Sequence, residues 1–528
     1  MRRALKVALR SLLGLLLVGV FLGTVGGAMW LGDWAHNRYY VENVTYDPDR
    51  LYTPDELQED FRVFRGALEE SHGGLYWYTP KAEFDAAFEA AFERLGEPMT
   101  ELEFVNVVAP LVDLIRDGHT QLRLPLYNLN LVDTSELALW PLDLIVTDVG
   151  TYVERDGSGE NVVPPGSELL TLNGQPVDEV ADDLLTLFVT ADGYADRAKL
   201  RTLYDRSFFA LYYGYLHGFP EAFEVTYVAP DSEEVQRATL QALTLSESSE
   251  NIVERYGETP DTSTAGVDLA WRDEVPVLTV SAFYRGEFDD YADALEDAFA
   301  EVRQRGAERL VLDLRENGGG QEGRENLLFT YLSPEPYQKY AEVSIKAKHS
   351  RYLKNVEYPW EARGINLIVW PYIEDYRRRS DGRWWRNADT YSSHNLIERE
   401  PTTDPFTGQL YLLLSGDVFS GGAEFATMAE ERLPDLVTIG QETSGAYQGN
   451  TSGIDYNLIL PNTRLGLRLP RIKYRMALEG TNPPGRGTLP DHEVWPIQED
   501  IAAGVDTVLA YALELAQEQT PESAKATR

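Results

Sequence analysis

The serine at position 420 is the first candidate for nucleophilic chemistry. The stretch from Leu412 to Ala426, Leu-Leu-Leu-Ser-Gly-Asp-Val-Phe-Ser-Gly-Gly-Ala-Glu-Phe-Ala, predicts a strand, a short loop and a helix. Ser420 would begin that helix, where the helix dipole and free N–H groups favour negative charge developing on a neighbouring oxygen. A serine in this place can also do no more than cap the helix. Ser415 is a rival nucleophile, but it lies at the strand end and no helix follows it directly.

Three consecutive glycines follow a second predicted strand. That strand, residues 309–315, is almost continuously apolar, as buried parallel strands are. Gly318, Gly319 and Gly320 then permit a sharp turn that can direct backbone N–H groups at an anion. A phosphate loop is disfavoured, because neither a following Lys-Ser/Thr pair nor G-x-G-x-x-G spacing is present. Taken alone, the three glycines indicate either an anion-binding loop or an ordinary turn.

A histidine far upstream is the candidate base. His119 lies in Asp117-Gly-His-Thr120, where a predicted helix ends. A lone histidine is usually structural, so this role depends on the fold bringing His119 to Ser420. The chain has no cysteine and only 7 histidines, which excludes thiol nucleophiles and disulfides and leaves little for a metal site. We therefore expect neither a metal nor a cofactor.

The predicted secondary structure that must position these residues differs between three regions of the chain. Residues 50–125 predict a helical N-terminal domain, and residues 130–245 predict a small α+β module of short strands. Residues 265–515 alternate strand and helix, which predicts an α/β core of layered β/α architecture. An insertion at about 335–405, rich in Tyr, Trp and Arg, is either a solvated segment or a lid. Residues 518–528 predict a disordered tail.

The N-terminal segment, residues 1–35, predicts a membrane anchor. Four basic residues precede an uncharged run from Ser11 to Gly32, which is long enough to span a bilayer as a helix. The basic flank leaves the N-terminus in the cytoplasm and exports the rest of the chain. A cleaved signal peptide is the alternative. We expect a single-pass protein of the cell inner membrane with its folded part periplasmic or extracellular.

The charge of the chain limits its partners. With 47 basic against 86 acidic residues, the formal net charge is −39. This excess argues against nucleic-acid binding, which needs a basic face. It favours basic or neutral substrates over acidic ones. The oligomeric state is left open.

Together the motifs resemble those of the C-terminal-processing, or tail-specific, serine peptidase family. The resemblance rests on Asp-Gly-His-Thr, on Leu-Asp-Leu-Arg-x-Asn-Gly-Gly-Gly, on Phe-Ser-Gly-Gly-Ala-Glu-Phe-Ala, on His72 to Tyr76 and on Gly480 to Asp491. It implies a ClpP/crotonase-like layered β/α catalytic core with a helical N-terminal domain. It also implies that 130–245 is a PDZ-like module, carried by Pro-Pro-Gly-Ser-Glu-Leu-Leu-Thr-Leu-Asn-Gly. Since a clear Gly-Leu-Gly-Phe loop is missing, peptide binding by this module stays open.

The family has two catalytic arrangements, and the resemblance favours one of them. A Ser–Lys pair needs a lysine about two dozen residues after the serine, and residues 441–450 contain none. The other arrangement belongs to the tricorn-like and retinoid-binding-protein-like branch and uses serine, histidine and a distant glutamate. It implies that Ser420 is the nucleophile, His119 the general base and Glu479 the acidic member that supports the histidine.

The same resemblance implies an oxyanion hole made by the backbone N–H groups of Gly421 and of Gly319 or Gly320. Two positions depart from the family pattern. The usual nucleophile slot, three residues before Glu424, holds a glycine, and Ser420 comes one residue earlier. A one-residue loop insertion would explain this offset. The branch also has a serine just before its histidine, where this chain has a glycine.

The sequence therefore predicts an exported, membrane-anchored serine endopeptidase. It would hydrolyse peptide bonds of peptides or protein tails through an acyl-enzyme on Ser420. The alternative is a catalytically weak or inactive binding protein for apolar ligands, because the retinoid-binding protein of the interphotoreceptor matrix resembles the same family and a fold does not fix a function. A third possibility is an assembly role through the PDZ-like module.

Overall fold

The computed structural model describes residues 47–124, 136–257, 264–272, 274–356, 376–387, 394–433, 435–453, 455–479 and 483–518. The predicted membrane anchor lies outside the described residues, as does the predicted tail after residue 518. Within the described ranges, no helix has the length and apolar character needed to cross a membrane.

The N-terminal part is helical, as predicted. Its helices α1 and α3 each begin with a capping box, at Thr53 and Thr100, in which the threonine and a glutamate three residues on satisfy each other's backbone N–H groups. Phenylalanines from α1 and α2 pack as a stacked and tilted cluster that buries the faces between these helices. The elements are α1 (Pro54–Ser71), α2 (Lys81–Glu93), α3 (Glu101–Asp113) and the short strand β1 (Gln121–Arg123).

A mostly antiparallel module follows. Its sheet has the order β2-β3-β4-β6-β7, with β5 paired to β4, and its apolar side packs on α4 and α5. The elements are β2 (Leu142–Val146), β3 (Thr151–Asp156), β4 (Glu168–Leu172), β5 (Gln175–Pro176), α4 (Val177–Phe188), a 3₁₀ helix (Asp196–Tyr204), α5 (Arg206–His217), β6 (Ala222–Val228), β7 (Val235–Gln241) and α6 (Leu245–Tyr256).

The remaining elements form the core. They are β8 (Val267–Arg272), β9 (Val275–Val280), α7 (Phe288–Gln304), β10 (Arg309–Asp313), α8 (Glu322–Thr330), β11 (Tyr340–Ile345), β12 (Tyr376–Arg378), β13 (Trp384–Arg386), β14 (Gln409–Leu414), α9 (Gly421–Arg432), β15 (Val437–Gly440), β16 (Thr451–Ser452), β17 (Tyr456–Ile459), β18 (Gly466–Leu469), β19 (Ile472–Met476), β20 (His492–Glu493), α10 (Gln498–Ala503) and α11 (Thr507–Glu518).

A six-stranded sheet lies at the centre of this core. Its order is β20-β15-β14-β10-β9-β8, and every neighbouring pair is parallel except β8 with β9. The strands β10 and β14 are largely buried, and the residues between Arg309 and Asp313 and those after Gln409 are apolar, as expected of parallel strands covered on both faces. The predicted α/β fold, with a layered core and a helical N-terminal region, is confirmed. The glycine turn follows β10 and the candidate serine follows β14, so neighbouring strands deliver both to the same edge.

A second sheet of the core is antiparallel, with the order β12-β13-β11-β19-β16. Three of these strands come from the segment 335–405, so the described part of that segment is built into the sheet and does not stand apart from it. A third sheet joins β1 to β18 and β17. Because β1 begins two residues after His119, its pairing with β18 ties the Asp-Gly-His turn to the core.

Candidate active site

Ser420 and His119 meet in the structure. The Oγ of Ser420 lies 3.1 Å from the Nε2 of His119, although 301 residues separate them in the chain. Ser420 precedes α9 with φ 50° and ψ −123°, and its side chain makes no capping hydrogen bond. A non-glycine residue in this region carries roughly 1–3 kcal/mol of backbone strain. The strained turn presents the hydroxyl to the imidazole, so the capping interpretation does not hold for this serine.

The rival serine has a structural environment. The Oγ of Ser415 donates to the carbonyl oxygen of Arg315 and accepts from the N–H of Asp417. Ser415 is 2% exposed, and its bond to Arg315 holds the end of β14 against the end of β10. Ser415 therefore has a structural role, in contrast to Ser420.

The imidazole of His119 is buried beside Phe419, with ring centroids 4.4 Å apart and 3% of the residue exposed. Burial, with a smaller contribution from the charge of Arg468, lowers the pKa of His119 to about 3. The ring is therefore neutral near pH 7 and able to accept a proton. Among the described residues, its Nδ1 has no hydrogen-bond partner.

Two buried carboxyl groups hold the turn that carries His119. Oδ1 of Asp117 accepts from the N–H groups of His119 and Thr120, at 2.9 and 3.0 Å. Asp192, four residues after α4, accepts from the N–H of Gly118 at 2.7 Å and from that of Ala446 at 3.2 Å. Burial raises the pKa of Asp117 to about 6. Burial, followed by the charge of Asp117, raises the pKa of Asp192 well above its usual range.

These groups are also the one set in the described part of the chain that could offer ligands to a metal. Asp117, His119 and Asp192 each provide one ligand atom, all within 4.8 Å of one another. The carboxylate oxygens already accept hydrogen bonds from backbone N–H groups and from Thr451. A cation would have to displace these donors, so the environment suits a hydrogen-bonded network better than a metal.

The structure does not bring Glu479 to this network. The carboxylate of Glu479 lies 2.7 Å from Arg432, and its side chain is 78% exposed. Arg432 is the last residue of α9, whereas Ser420 precedes its first residue. A helix of this length separates its two ends by roughly 17 Å. Glu479 thus lies at the wrong end of α9 to reach the buried Nδ1 of His119.

The glycine turn supplies N–H groups near Ser420, and the structure distinguishes between them. The N–H of Gly319 donates to Oδ1 of Asn317 at 2.9 Å, so it is already used. In the described part of the chain, the N–H groups of Gly320 and Gly421 have no partner. A Cβ atom added to Gly319 would lie 2.6 Å from the nitrogen of Gly421 and 2.8 Å from the Cβ of Ser420. The turn can therefore approach Ser420 closely only as glycine, with Gly320 and Gly421 left to bind an oxyanion.

Gly118 explains one departure from the family pattern. A Cβ atom at this position would lie 2.5 Å from the ring of Phe419, the residue before Ser420. A serine before the histidine would therefore require the ring of Phe419 to move.

A buried ionic cluster lies under the first turns of α9. Lys339 contacts the carboxylates of Glu325 and Glu424, and Glu424 also accepts from Tyr340 and Asn450. Burial raises the pKa of Glu325, the charge of Lys339 lowers it and the charge of Glu424 raises it, and the net effect is a rise. The opposite charges outweigh burial at Lys339 and raise its pKa. The two carboxylates thus favour the charged form of this lysine, and its ammonium group contacts them.

Two residues that the sequence did not single out hold the site together. Asp192 lies in a loop with no recognisable motif, and only the tertiary fold brings it to Gly118. Asn317 was part of the glycine motif, and its position directly before three glycines was an available signal for a side chain that fixes the turn.

Comparison with known proteins finds similarity to peptidases. Residues 274–494 match the profile of "Peptidase family S41". No curated protein matches the sequence. Mature CPAF in complex with lactacystin has a similar structure, with a TM-score of 0.57, 13% identity, and 85% of this chain and 95% of that chain covered. A serine-to-alanine mutant of CPAF gives a TM-score of 0.57 and 12% identity over 85% of this chain and 94% of that one. At these identities the likeness shows a shared fold.

Proposed function

We propose that this chain is a serine peptidase of family S41, whose profile residues 274–494 match, with Ser420 as its nucleophile and His119 as its general base. The observation that carries the proposal is the 3.1 Å separation between Ser420 Oγ and His119 Nε2. It is supported by the strained backbone of Ser420 and by the lack of any capping bond from its hydroxyl.

The reaction follows from these positions. His119 accepts the hydroxyl proton at Nε2 while Ser420 Oγ attacks the carbonyl carbon of the scissile bond. The oxyanion of the tetrahedral intermediate takes hydrogen bonds from the N–H groups of Gly320 and Gly421. His119 then gives the proton to the leaving amine, and an acyl-enzyme remains on Ser420. Water, deprotonated by His119, hydrolyses the acyl-enzyme.

Asp192 takes the acidic role in this proposal. Its carboxyl group lies in the same buried cluster as His119, with ligand atoms within 4.8 Å. It is also bonded to the N–H of Gly118, the residue before the histidine. An ionised carboxylate there stabilises the imidazolium that forms when His119 accepts the proton. Glu479, exposed and paired with Arg432, has no such contact.

The substrates are proteins or peptides, and we assign the tail-specific subtype to this chain as part of the same proposal. The module of β2–β7 supports it, because a separate module beside a peptidase core can hold a substrate away from the scissile bond. Asp192 lies between this module's α4 and its 3₁₀ helix, and so connects the module to the turn that carries His119.

A fluorophosphonate probe tests the nucleophile directly. Purified protein is expected to react with the probe, and peptide mapping by mass spectrometry should locate the label on Ser420. Labelling at another serine, or equal labelling of the Ser420→Ala variant, would overturn the assignment. A protein that fails to react but extracts apolar ligands from a lipid mixture would instead support the binding-protein alternative.

The proposal also includes export and anchoring by residues 1–35. It is supported by the basic flank and the uncharged run from Ser11 to Gly32. Full-length protein should sediment with membranes and resist extraction by high salt, and a variant lacking residues 1–35 should not. If the expressed full-length chain is instead recovered in the soluble fraction as a product that lacks those residues, the segment is cleaved.

A further inference from the structure

Three cationic side chains gather on the antiparallel sheet of the core. Lys473 of β19 pairs with Ser344 of β11 and with Thr451 of β16, so these three side chains share one face. The guanidinium of Arg383 donates to the hydroxyl of the same Ser344, at 3.0 and 3.2 Å. Lys346 directly follows β11. We refer to Lys346, Arg383 and Lys473 as the basic cluster.

None of the three forms an ion pair with a carboxylate in the described part of the chain. Lys473 Nζ lies 3.6 Å from the ring centroid of Trp77, and Lys346 Nζ lies 5.2 Å from that of Tyr76. Arg383 donates to the carbonyl oxygen of Gly73 at 2.6 Å. Burial and the neighbouring Arg383 lower the pKa of Lys473 to about 8, and burial also lowers the pKa of Lys346. The cations are thus partly desolvated and repel one another.

The nearest acids are already paired elsewhere. Glu342 binds Arg475 at 3.0 Å, and Glu69 binds Arg65 at 3.0 Å. Asp381 accepts from the indole N–H of Trp385 and from the backbone N–H of Arg383. The chain has 86 acidic and 47 basic residues, yet these three basic side chains have no carboxylate partner. Keeping partly buried cations unpaired costs free energy unless an anion binds to them.

The cluster lies close to the reacting pair. Thr451, the neighbour of Lys473 across the strands, donates its hydroxyl to Asp117, which lies two residues before His119. The path from Lys473 to Ser420 thus consists of one strand spacing of about 4.8 Å and the contacts Thr451–Asp117, Asp117–His119 and His119–Ser420. An extended peptide advances about 3.3 Å per residue, so a few residues span such a path. All three cations and Trp77 keep partial exposure to solvent.

We infer that the basic cluster is a subsite for a carboxylate of the substrate peptide, held a few residues from the scissile bond. The carboxylate is either the C-terminus of the peptide or an Asp or Glu side chain, since both offer the same planar acceptor to Arg383 and the two lysines. The inference rests on the proposed function. It differs from the expectation from net charge, because the three side chains of the basic cluster carry a charge opposite to that of the whole chain.

Binding to the inactive Ser420→Ala protein tests the subsite independently of hydrolysis. Four peptides based on one sequence are compared. The first pair differs only at the C-terminus, which is a free carboxylate in one peptide and an amide in the other. The second pair ends in an amide and carries either Glu or Gln at one internal position. We expect a carboxylate form to bind about tenfold more tightly than its neutral counterpart. Preference for the free C-terminus or for Glu over Gln identifies the source of the carboxylate. Equal affinity for all four peptides would overturn the inference.

Variants then assign the effect to the cluster. Lys346→Met combined with Lys473→Met should abolish the preference for the carboxylate. The matched control, Arg475→Met, removes one charge from the same strand but from a side chain paired with Glu342, and should keep the preference. A preference that survives in the double variant would overturn the inference, whereas failure of wild-type protein to hydrolyse any peptide would count against the proposed function alone.

Discussion

Replacing Ser420 with alanine is expected to lower kcat/KM for a cleavable peptide by about 10⁴–10⁶-fold. The loss is this large because the hydroxyl that attacks the carbonyl group is removed and only water, positioned by the remaining site, can react. The hydroxyl of Ser420 caps no helix, and it contacts the imidazole of His119. The variant should therefore unfold within a few degrees of wild type, measured by thermal denaturation alongside peptide hydrolysis.

Ser415→Ala is the matched control for this prediction. Its hydroxyl bonds to the backbone at Arg315 and Asp417, so its loss should cost about 1–3 kcal/mol of stability and leave hydrolysis in the folded protein largely intact. Should Ser415→Ala abolish hydrolysis while Ser420→Ala retains it, the nucleophile would have to be reassigned to Ser415.

The features that could be predicted from the sequence are local ones. A strand, a turn and a helix around Ser420, and glycines after β10, depend on residues close in the chain. The parallel pairing of β10 with β14 then brings both turns to one edge without further information. The sequence leaves the choice between Gly319 and Gly320 open, because it depends on the side chain of Asn317, which accepts a hydrogen bond from the N–H of Gly319.

The acidic partner of His119 could not be predicted in the same way. The resemblance placed it at Glu479 by its distance from Ser420 along the chain, but that distance includes the whole of α9 and the strands after it. Asp192 reaches the site from the other direction, through its bonds to Gly118 and Ala446, and no spacing rule relates these three positions. Long-range contacts of this kind are decided by how the module packs on the core.

Substitutions at three positions should separate the members of the proton-transfer network. His119→Gln removes the base and should lower kcat/KM by about 10⁴–10⁶-fold. Asp192→Asn should lower it by about 10²–10⁴-fold, because a neutral amide no longer stabilises the imidazolium and its NH₂ group cannot accept from a backbone N–H. Glu479→Gln should change it by no more than about twofold, since this exposed carboxylate pairs with Arg432 at the surface.

The pH dependence of kcat/KM distinguishes an electrostatic role of Asp192 from a merely structural one. The pKa of His119 is lowered to about 3, so its protonation cannot produce an activity limb near neutral pH. Burial raises the pKa of Asp117 to about 6 and that of Asp192 well above its usual range, so the two carboxyl groups titrate as a pair at a pH above the one usual for aspartate. A carboxylate must be ionised to stabilise the imidazolium, so wild-type activity should rise as pH increases through this range.

Asp192→Asn removes one member of the pair. The rise in kcat/KM with pH should then be absent from the remaining activity or occur at lower pH, because Asp117 titrates without a carboxylate neighbour. If Asp192 only holds the turn at Gly118, the variant should have a lower kcat/KM at every pH, and the rise with pH should occur at the same pH as in wild type. If instead Glu479→Gln removed the limb and Asp192→Asn kept it, the acidic role would return to Glu479, and α9 and β19 would have to rearrange before catalysis to bring that carboxylate to His119.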